Sequence, residues 1–504
     1  MKKIAIILVL FAGLSACTKD LTSLNVDVKN PQTVPSYSLF TQAERTMAST
    51  ASSSNVNLNI FRLIEQQWEE TIYTDESNYD IVTRQIPDGL WNSLYRDVLF
   101  NMQQTKRLIP KDVSDPGTQK NEITIADIMQ VYAYYYLVTT FGNIPYSQAL
   151  DISKPFPVFD DAKTVYYDLL TRLDADIAAL NPASGSYGAA DIIYGGDPGM
   201  WKKFAATFKL KMGITIADFD NAKAQATVES AVATGVFTSN SDNAVFKFVA
   251  APPNTNPVWV DLVQSGRQDF VADSTVIAYL QPAGNNPDPR LPYYFTLNHA
   301  PSPLPPQADT THAIYAGAIS GASATFSNFS KPSGPLLVAG SVGQITNPDF
   351  PGLLLDYAET EFNLAEATVR GYNVGGGTVI SHYNNGITAS ILYWGAAGTA
   401  PAAATAYLAQ SNVAYATAAG LLASPLKKIG IQKYLAFYNR GWDAWIDTRR
   451  LGFPALVAPP TAKSAFPLRF VYPVNEQNVN IKNYNAASTA IGGDLVTTKL
   501  FFIK

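Results

Sequence analysis

Residues 123–145, ITIADIMQVYAYYYLVTTFGNIP, decide the fold class. Ile125, Ile128, Met129, Tyr132, Tyr135, Tyr136 and Thr139 recur at the three-and-four spacing that lines one face of an α-helix. Phe141-Gly142-Asn143-Ile144-Pro145 then breaks the pattern. Working outward, the same spacing returns along most of the chain. Leu39, Ala43 and Met47 follow a start signal at Pro35-Ser36, and Trp91, Leu94, Tyr95, Val98 and Met102 predict a helix running to about Leu108. Asp160 or Asp161 can cap a helix carrying Val165, Leu169, Leu173, Ile177 and Leu180, which stops at Asn181-Pro182. Phe204, Phe208, Met212 and Ile216 lie in register within 201–219. Leu355, Ala358, Phe362, Ala365 and Val369 form a stripe ended by Gly371, the residue a helix C-cap favours. Helices are also predicted at 378–393, 425–439 and 442–450. Helices of this length in pairs suggest stacked helical hairpins, although no fixed repeat period emerges. The chain reads as mainly α.

The middle differs. Residues 236–353 are rich in Pro, Gly, Ser and Asn, with one short helix expected at 274–280 and room for short strands. So long an irregular stretch inside a compact chain is usually functional. The expected organisation is a helical part at 36–235, a loop-rich insertion at 236–353 and a second helical part at 354–504, all in one domain.

Composition sets exclusions. Of 504 residues 47% are hydrophobic and 15% charged, which is enough apolar material for a large core and too little charge for a disordered chain. A net charge of -5 argues against nucleic acid as a partner. A single cysteine removes a disulfide framework and any Cys-based metal cluster, and three scattered histidines leave little for a His-based one. No cofactor or metal is expected.

The N-terminus gives an address. Lys2 and Lys3 precede an uncharged apolar run at 4–14, too short to span a bilayer but suited to the core of a secretory signal. Leu14-Ser15-Ala16-Cys17 follows and resembles a bacterial lipobox, with Cys17 the only cysteine. The expectation is a signal peptide at 1–16, lipidation (palmitate) of Cys17 and a tether at 17–35. The Ala-rich 396–423 stretch comes nearest to a later membrane span, but Thr, Gln, Asn, Ser and Pro interrupt it.

Signatures of catalysis are missing. The chain has no HExxH, GxSxG, phosphate loop, CxxC or GxGxxG. Residues 74–80, TDESNYD, lack the Gly and Glu of a calcium loop and read as a polar loop. Glu69 with Glu70, Glu359 with Glu361, and Asp443 with Asp447 are the obvious carboxylate pairs for glycoside hydrolysis. Each falls on a predicted helix, where carboxylates usually form a solvated face. No catalytic residue is assigned.

A set of motifs runs in order along the chain. After the lipobox come Phe141-Gly142-Asn143-Ile144-Pro145-Tyr146, Trp201-Lys202-Lys203-Phe204 and Asp288-Pro289-Arg290-Leu291-Pro292. Then follow Glu361-Phe362-Asn363-Leu364-Ala365-Glu366-Ala367 with Gly371, Tyr383-Asn384-Asn385-Gly386-Ile387 and Gln432-Lys433. Trp445 with Arg449-Arg450-Leu451-Gly452-Phe453-Pro454, and Arg469-Phe470-Val471-Tyr472-Pro473 with Glu476 and Asn480, complete the series. The series resembles the SusD/RagB family of nutrient-binding outer-membrane lipoproteins of Bacteroidota, in its SusD-like branch. The Ala/Gly-rich 394–423 segment carries no such motif. The resemblance implies an α-superhelix of four tetratricopeptide-like helix pairs with an irregular region packed on it. It implies a surface-exposed, lipid-anchored protein of the outer membrane that works with a SusC-like TonB-dependent transporter. It also implies an oligosaccharide ligand, or a peptide as in the RagB branch, and no catalysis. A lipid-anchored glycosidase and a pure protein-interaction scaffold are the competing readings.

Sugars offer flat C–H faces to aromatic rings and hydroxyls to polar side chains. Aromatic residues in loop context with polar neighbours are therefore the candidate ligand contacts: Trp68, Tyr73 and Tyr79 with Asp75 and Asn78, Trp259 among Asn254, Asn256 and Asp261, and Tyr315. Trp91 and the tyrosines at 132, 135 and 136 sit at helical spacing and read as core. Arg449 and Arg450 read as structural partners of acidic helix ends, and His299, His312 and His382 as bland. The address is testable: Cys17→Ser should abolish labelling by radioactive palmitate and move the chain from the membrane to the soluble fraction.

Overall fold

The computed structural model describes residues 34–298, 314–333, 342–395, 397–415 and 424–504. The signal segment, Cys17, His299 and His312 lie outside them. The architecture is mainly helical, as expected.

Four helix pairs form the frame. The first joins α1 (Ser36–Ser52) to a long helical run that begins at Ile86–Asn92, passes through a π-helical segment at Ser93–Leu99 and ends as α2 (Phe100–Asp112). The second pairs α3 (Pro116–Phe141) with α4 (Ala162–Ala179), the third α5 (Pro198–Thr215) with α6 (Asn221–Thr234), and the fourth α7 (Tyr357–Val369) with α8 (Val379–Trp394). Successive pairs pack on one another through α2 against α3, α4 against α5 and α5 against α7. Helices α9 (Ala400–Leu408), α10 (Pro425–Ala436), α11 (Gly441–Leu451) and α12 (Ile481–Ala490) follow, with α10 packed on α7 and α11 on α10.

Local sequence explains the boundaries. Asp115, Asp161, Asp197, Asp220 and Asp356 each accept a backbone N–H at the start of a helix, which satisfies a donor the helix cannot. Gly386 must be glycine, because a Cβ there would lie 2.9 Å from the Phe362 ring, where α8 presses on α7. Among the described residues no helix is long and apolar enough to cross a membrane.

Short strands form three antiparallel pairs, two of which involve the loop-rich middle and join distant parts of the chain. β1 (Trp68–Glu70) pairs antiparallel with β5 (Phe270–Ala272), β2 (Ile144–Pro145) with β3 (Phe159–Asp160), and β4 (Ala244–Phe246) with β6 (Gly352–Leu355). Leu355, expected in the helical stripe, belongs instead to β6 opposite Ala244, and α7 begins two residues later. The helix expected at 201–219 ends at Thr215, and the short one at Ser274–Leu280 forms as expected.

The carboxylate pairs are not solvated. Glu69 and Glu70 lie on β1 and are buried, as are Glu359, Glu361 and Asp443. Asp443 meets Lys211 and Arg440, and Lys211 also reaches Glu359 at 3.0 Å. Arg440 holds Glu359 and Asp443 at 2.7 Å each, and the Tyr136 hydroxyl donates to Asp443 at 2.5 Å. Against the opposing effect of burial, Arg440 and Lys211 hold the Asp443 carboxyl below its usual range. Arg450 forks onto Glu366 at 2.5 and 2.7 Å and reaches Asp447 at 2.9 Å, as expected of a structural arginine. Arg449 differs: it lies over the Trp445 ring and donates to the carbonyls of Thr139 and Leu468. Removing one partner of a fully buried pair strands the other charge. Asp443→Ala should therefore lower the unfolding free energy by roughly 3–5 kcal/mol in urea titration, and Asp443→Asn by less.

Candidate functional site: a polar cleft beside the β1–β5 ladder

Because β1 and β5 are joined about 200 residues apart, the turns that follow and precede them converge. Two contiguous recesses open there and share Val56, Arg84, Arg267, Asp269 and Phe270. Ile72 and Tyr73 border one, while Ser54, Asn55, Asn57 and Asp261 border the other.

Tyr73 is 69% exposed, so its ring stands as a free platform at the rim. The charges around it are already paired. Arg84 reaches Glu76 at 3.2 Å and Asp75 at 3.4 Å, Arg267 holds Asp269 at 2.6 Å, and Ser54 donates to Asp261 at 2.9 Å. Such pairs offset one another's charge yet keep unused donors and lone pairs, which suits hydroxyl groups.

Buried polar contacts hold the rim in place. The Asn78 side chain donates to the carbonyls of Thr74 and Gly321, both at 2.8 Å, and accepts from Thr461 at 2.6 Å. Glu69 accepts from the Gly321 amide at 2.9 Å, and Glu70 from that of Ser77. Burial pushes Glu69 up to about 8. Burial and then the neighbouring Glu76 push Glu70 up to about 9. Two carboxylates facing one another away from water cannot both ionise cheaply, so this part of the rim carries a proton at neutral pH.

The structure sorts the expected contacts. Tyr73 stands exposed in the cleft lining, whereas Asp75 is exposed outside it and reaches the cleft only through Arg84. Trp68 does not: the ladder sets it opposite Ala272, buried, with its indole N–H donating to the Tyr438 hydroxyl at 3.2 Å. Tyr79 is buried too, against Phe466 and with its hydroxyl accepting from Gln66 at 3.1 Å. Asn78 is a buried pin of the loop rather than a surface contact. Trp259 is half-buried on a short helix, Pro257–Trp259, and does not line the cleft, although the following turn supplies Asp261. Tyr315 is half-buried against the core, apart from the cleft lining. His382 is not bland, since its Nδ1 meets Glu361 at 2.7 Å. Sequence reading missed Arg84, Arg267 and Asp269, because nothing local marks two arginines brought together by strand pairing. Among the described residues no three His, Cys, Asp or Glu side chains gather to hold a metal.

Fold and cleft can now be set beside known proteins. The profile of the SusD-like family, described as starch-binding and associating with the outer membrane, matches residues 28–473. The chain belongs to this SusD-like family. A search of curated proteins by sequence finds no match. A SusD homologue from Bacteroides uniformis is 25% identical with a TM-score of 0.72, covering 93% of this chain and 99% of that one. A SusD-like protein from Bacteroides thetaiotaomicron is 23% identical with a TM-score of 0.73, over the same shares. A chitin-binding SusD homologue from Flavobacterium johnsoniae is 21% identical with a TM-score of 0.68, covering 93% and 97%.

The protonated rim gives a stability prediction. Unfolded, Glu69 ionises near 4.5, whereas folded it keeps its proton to about 8. The folded state therefore loses ground as pH rises from 4.5 to 8; below that window this group costs nothing, and above it the full penalty remains. Glu69→Gln, which keeps an oxygen for the Gly321 amide, should flatten the profile and raise stability at pH 8 by a few kcal/mol at most. Denaturant midpoints measured across pH 4 to 9 check it.

Proposed function

We propose that this chain binds a neutral oligosaccharide in the cleft bordered by Tyr73, Arg84 and Arg267, and does not cleave it. The observation that supports this best is the pairing of one exposed, flat ring with charges already neutralised in place. A free guanidinium would favour an anionic ligand, whereas arginines already tied to carboxylates offer directed hydrogen bonds without net charge. The family description and the chitin-binding relative agree with a glycan ligand. On this reading the chain is exported, anchored through Cys17 and displayed on the outer membrane. There it delivers its ligand to a SusC-like TonB-dependent transporter.

Electrophoresis of a soluble form starting at Thr18, through native gels containing starch, chitin oligomers or other glycans, tests the reading. Retardation by one neutral glycan is expected, with Tyr73→Ala weakening binding about tenfold, equivalent to about 1.4 kcal/mol. Shortened glycan products would overturn the non-catalytic part. No retardation by any glycan would overturn the ligand class.

A further inference from the structure

A second concavity shares no lining residue with the cleft. An open recess is walled by Trp91, Tyr95, Phe100 and the prolines at 145, 155 and 157, with Arg96 and Glu476 also in its lining. It runs into a polar pocket through Ala149 and Leu150, which border both.

The apolar half is built as an open surface. Phe100, in its lining, is 42% exposed, and the adjoining 150–157 loop exposes Phe156 (55%) and Ile152 (98%) outside that lining. The loop bearing the last two is held from below, where the Asn483 amide donates to the Phe156 carbonyl at 3.0 Å and the Asn480 amide to that of Pro157 at 2.9 Å. Polar anchors thus fix the backbone while the apolar side chains face water, an arrangement that marks interaction surfaces. Two irregularities border the same recess. The π-helical segment carries Tyr95 into its wall, and Leu150 adopts a φ of 63°, costly for a residue with a Cβ.

The polar half has the complementary chemistry. Lys106 and Arg172 both contact Asp127, at 2.5 and 2.8 Å, so its lining carries two cations and one anion. Asp176, buried beneath, is pushed up to about 8 by burial and then by Asp127, and adds no charge at neutral pH. Asp168 accepts from the Tyr146 hydroxyl and does not line the pocket. The excess cation fits a carboxylate, and the three prolines offer no N–H to a sugar hydroxyl.

We propose that this trough docks an extended segment of a partner polypeptide, a bulky apolar side chain entering the recess and a carboxylate reaching Lys106 and Arg172. Phe100 and Lys106 lie six residues apart on α2, about 9 Å along its axis. They also lie about 120° apart around the axis, so 9 Å is a lower bound, and an extended peptide advancing about 3.3 Å per residue places the carboxylate three or more positions from the apolar anchor. This goes beyond the glycan reading and does not rest on it.

Panning a random peptide library displayed on phage against the immobilised chain tests it. Enriched sequences should place Asp or Glu three to five positions from Phe, Leu, Ile or Trp. The corresponding synthetic peptide should bind in fluorescence polarisation, at least fivefold more weakly to Phe100→Ser and to Lys106→Met. Replacing its carboxylate by an amide should weaken binding to the unaltered chain and leave binding to Lys106→Met unchanged. Enriched peptides without an acid, no enrichment over the bare support, or binding indifferent to both substitutions would overturn the proposal. Should Phe100→Ser fail to fold, Leu150→Asn, at a position that borders both halves and has a positive φ that Asn tolerates, probes the same trough. Retained glycan retardation in these variants separates failure of this surface from failure of the cleft reading.

Discussion

One buried charge network joins the stacked helix pairs to the C-terminal helices. Lys211 from α5, Glu359 from α7 and Arg440 with Asp443 at the start of α11 meet beneath the Tyr136 hydroxyl of α3. Taking four such groups out of water is expensive, and hydrophobic residues of equal volume can stabilise as well or better. The network's distinctive contribution is positional. Ridges of Leu and Phe tolerate a sliding helix, whereas a guanidinium shared by two carboxylates at 2.7 Å fixes the register of the elements that bear them.

The motifs by which the chain resembles its family are largely this kind of joint. Arg290 forks onto Asp288 with both side chains fully buried, and extends to Gln432 and Ser390 on α10 and α8. Arg450 bridges α11 to Glu366 of α7. Arg469 donates to the Phe141 carbonyl at the end of α3 and pairs with Asp494. They make the architecture legible in the sequence, because an arginine locked between elements demands both its own identity and that of its partners. They say nothing of the ligand, since none of them lines the cleft.

Helices were readable because their spacing is local: every member of the 125–139 stripe lies within one element, and all of them are buried. The cleft was less readable because its geometry is not local. Trp68 and Tyr73 stand five residues apart on similar polar sequence, yet one is buried under the Tyr438 hydroxyl and the other is largely exposed. The difference is the ladder with Phe270–Ala272, which pulls Trp68 inward and releases the chain at Thr71. Leu355 shows the same effect, an apolar residue in helical phase taken by a strand partner over 100 residues away.

A rigid frame and a fixed rim have a consequence for binding. A ligand that meets mobile loops must order them, at about 0.5–1.5 kcal/mol per side chain immobilised. Here Asn78, Glu69 and Glu70 have already tied the rim to β1 and to the 321 turn. Weak contacts, one ring and a few directed hydrogen bonds, can then suffice for a ligand that must also be released. The protons held on Glu69 and Glu70 belong to the same arrangement. Ionised, Glu70 would repel Glu76, which holds Arg84 at the cleft. Kept neutral by burial, the two carboxyls let the arginine and its acidic partners set the polarity of the surface the ligand meets.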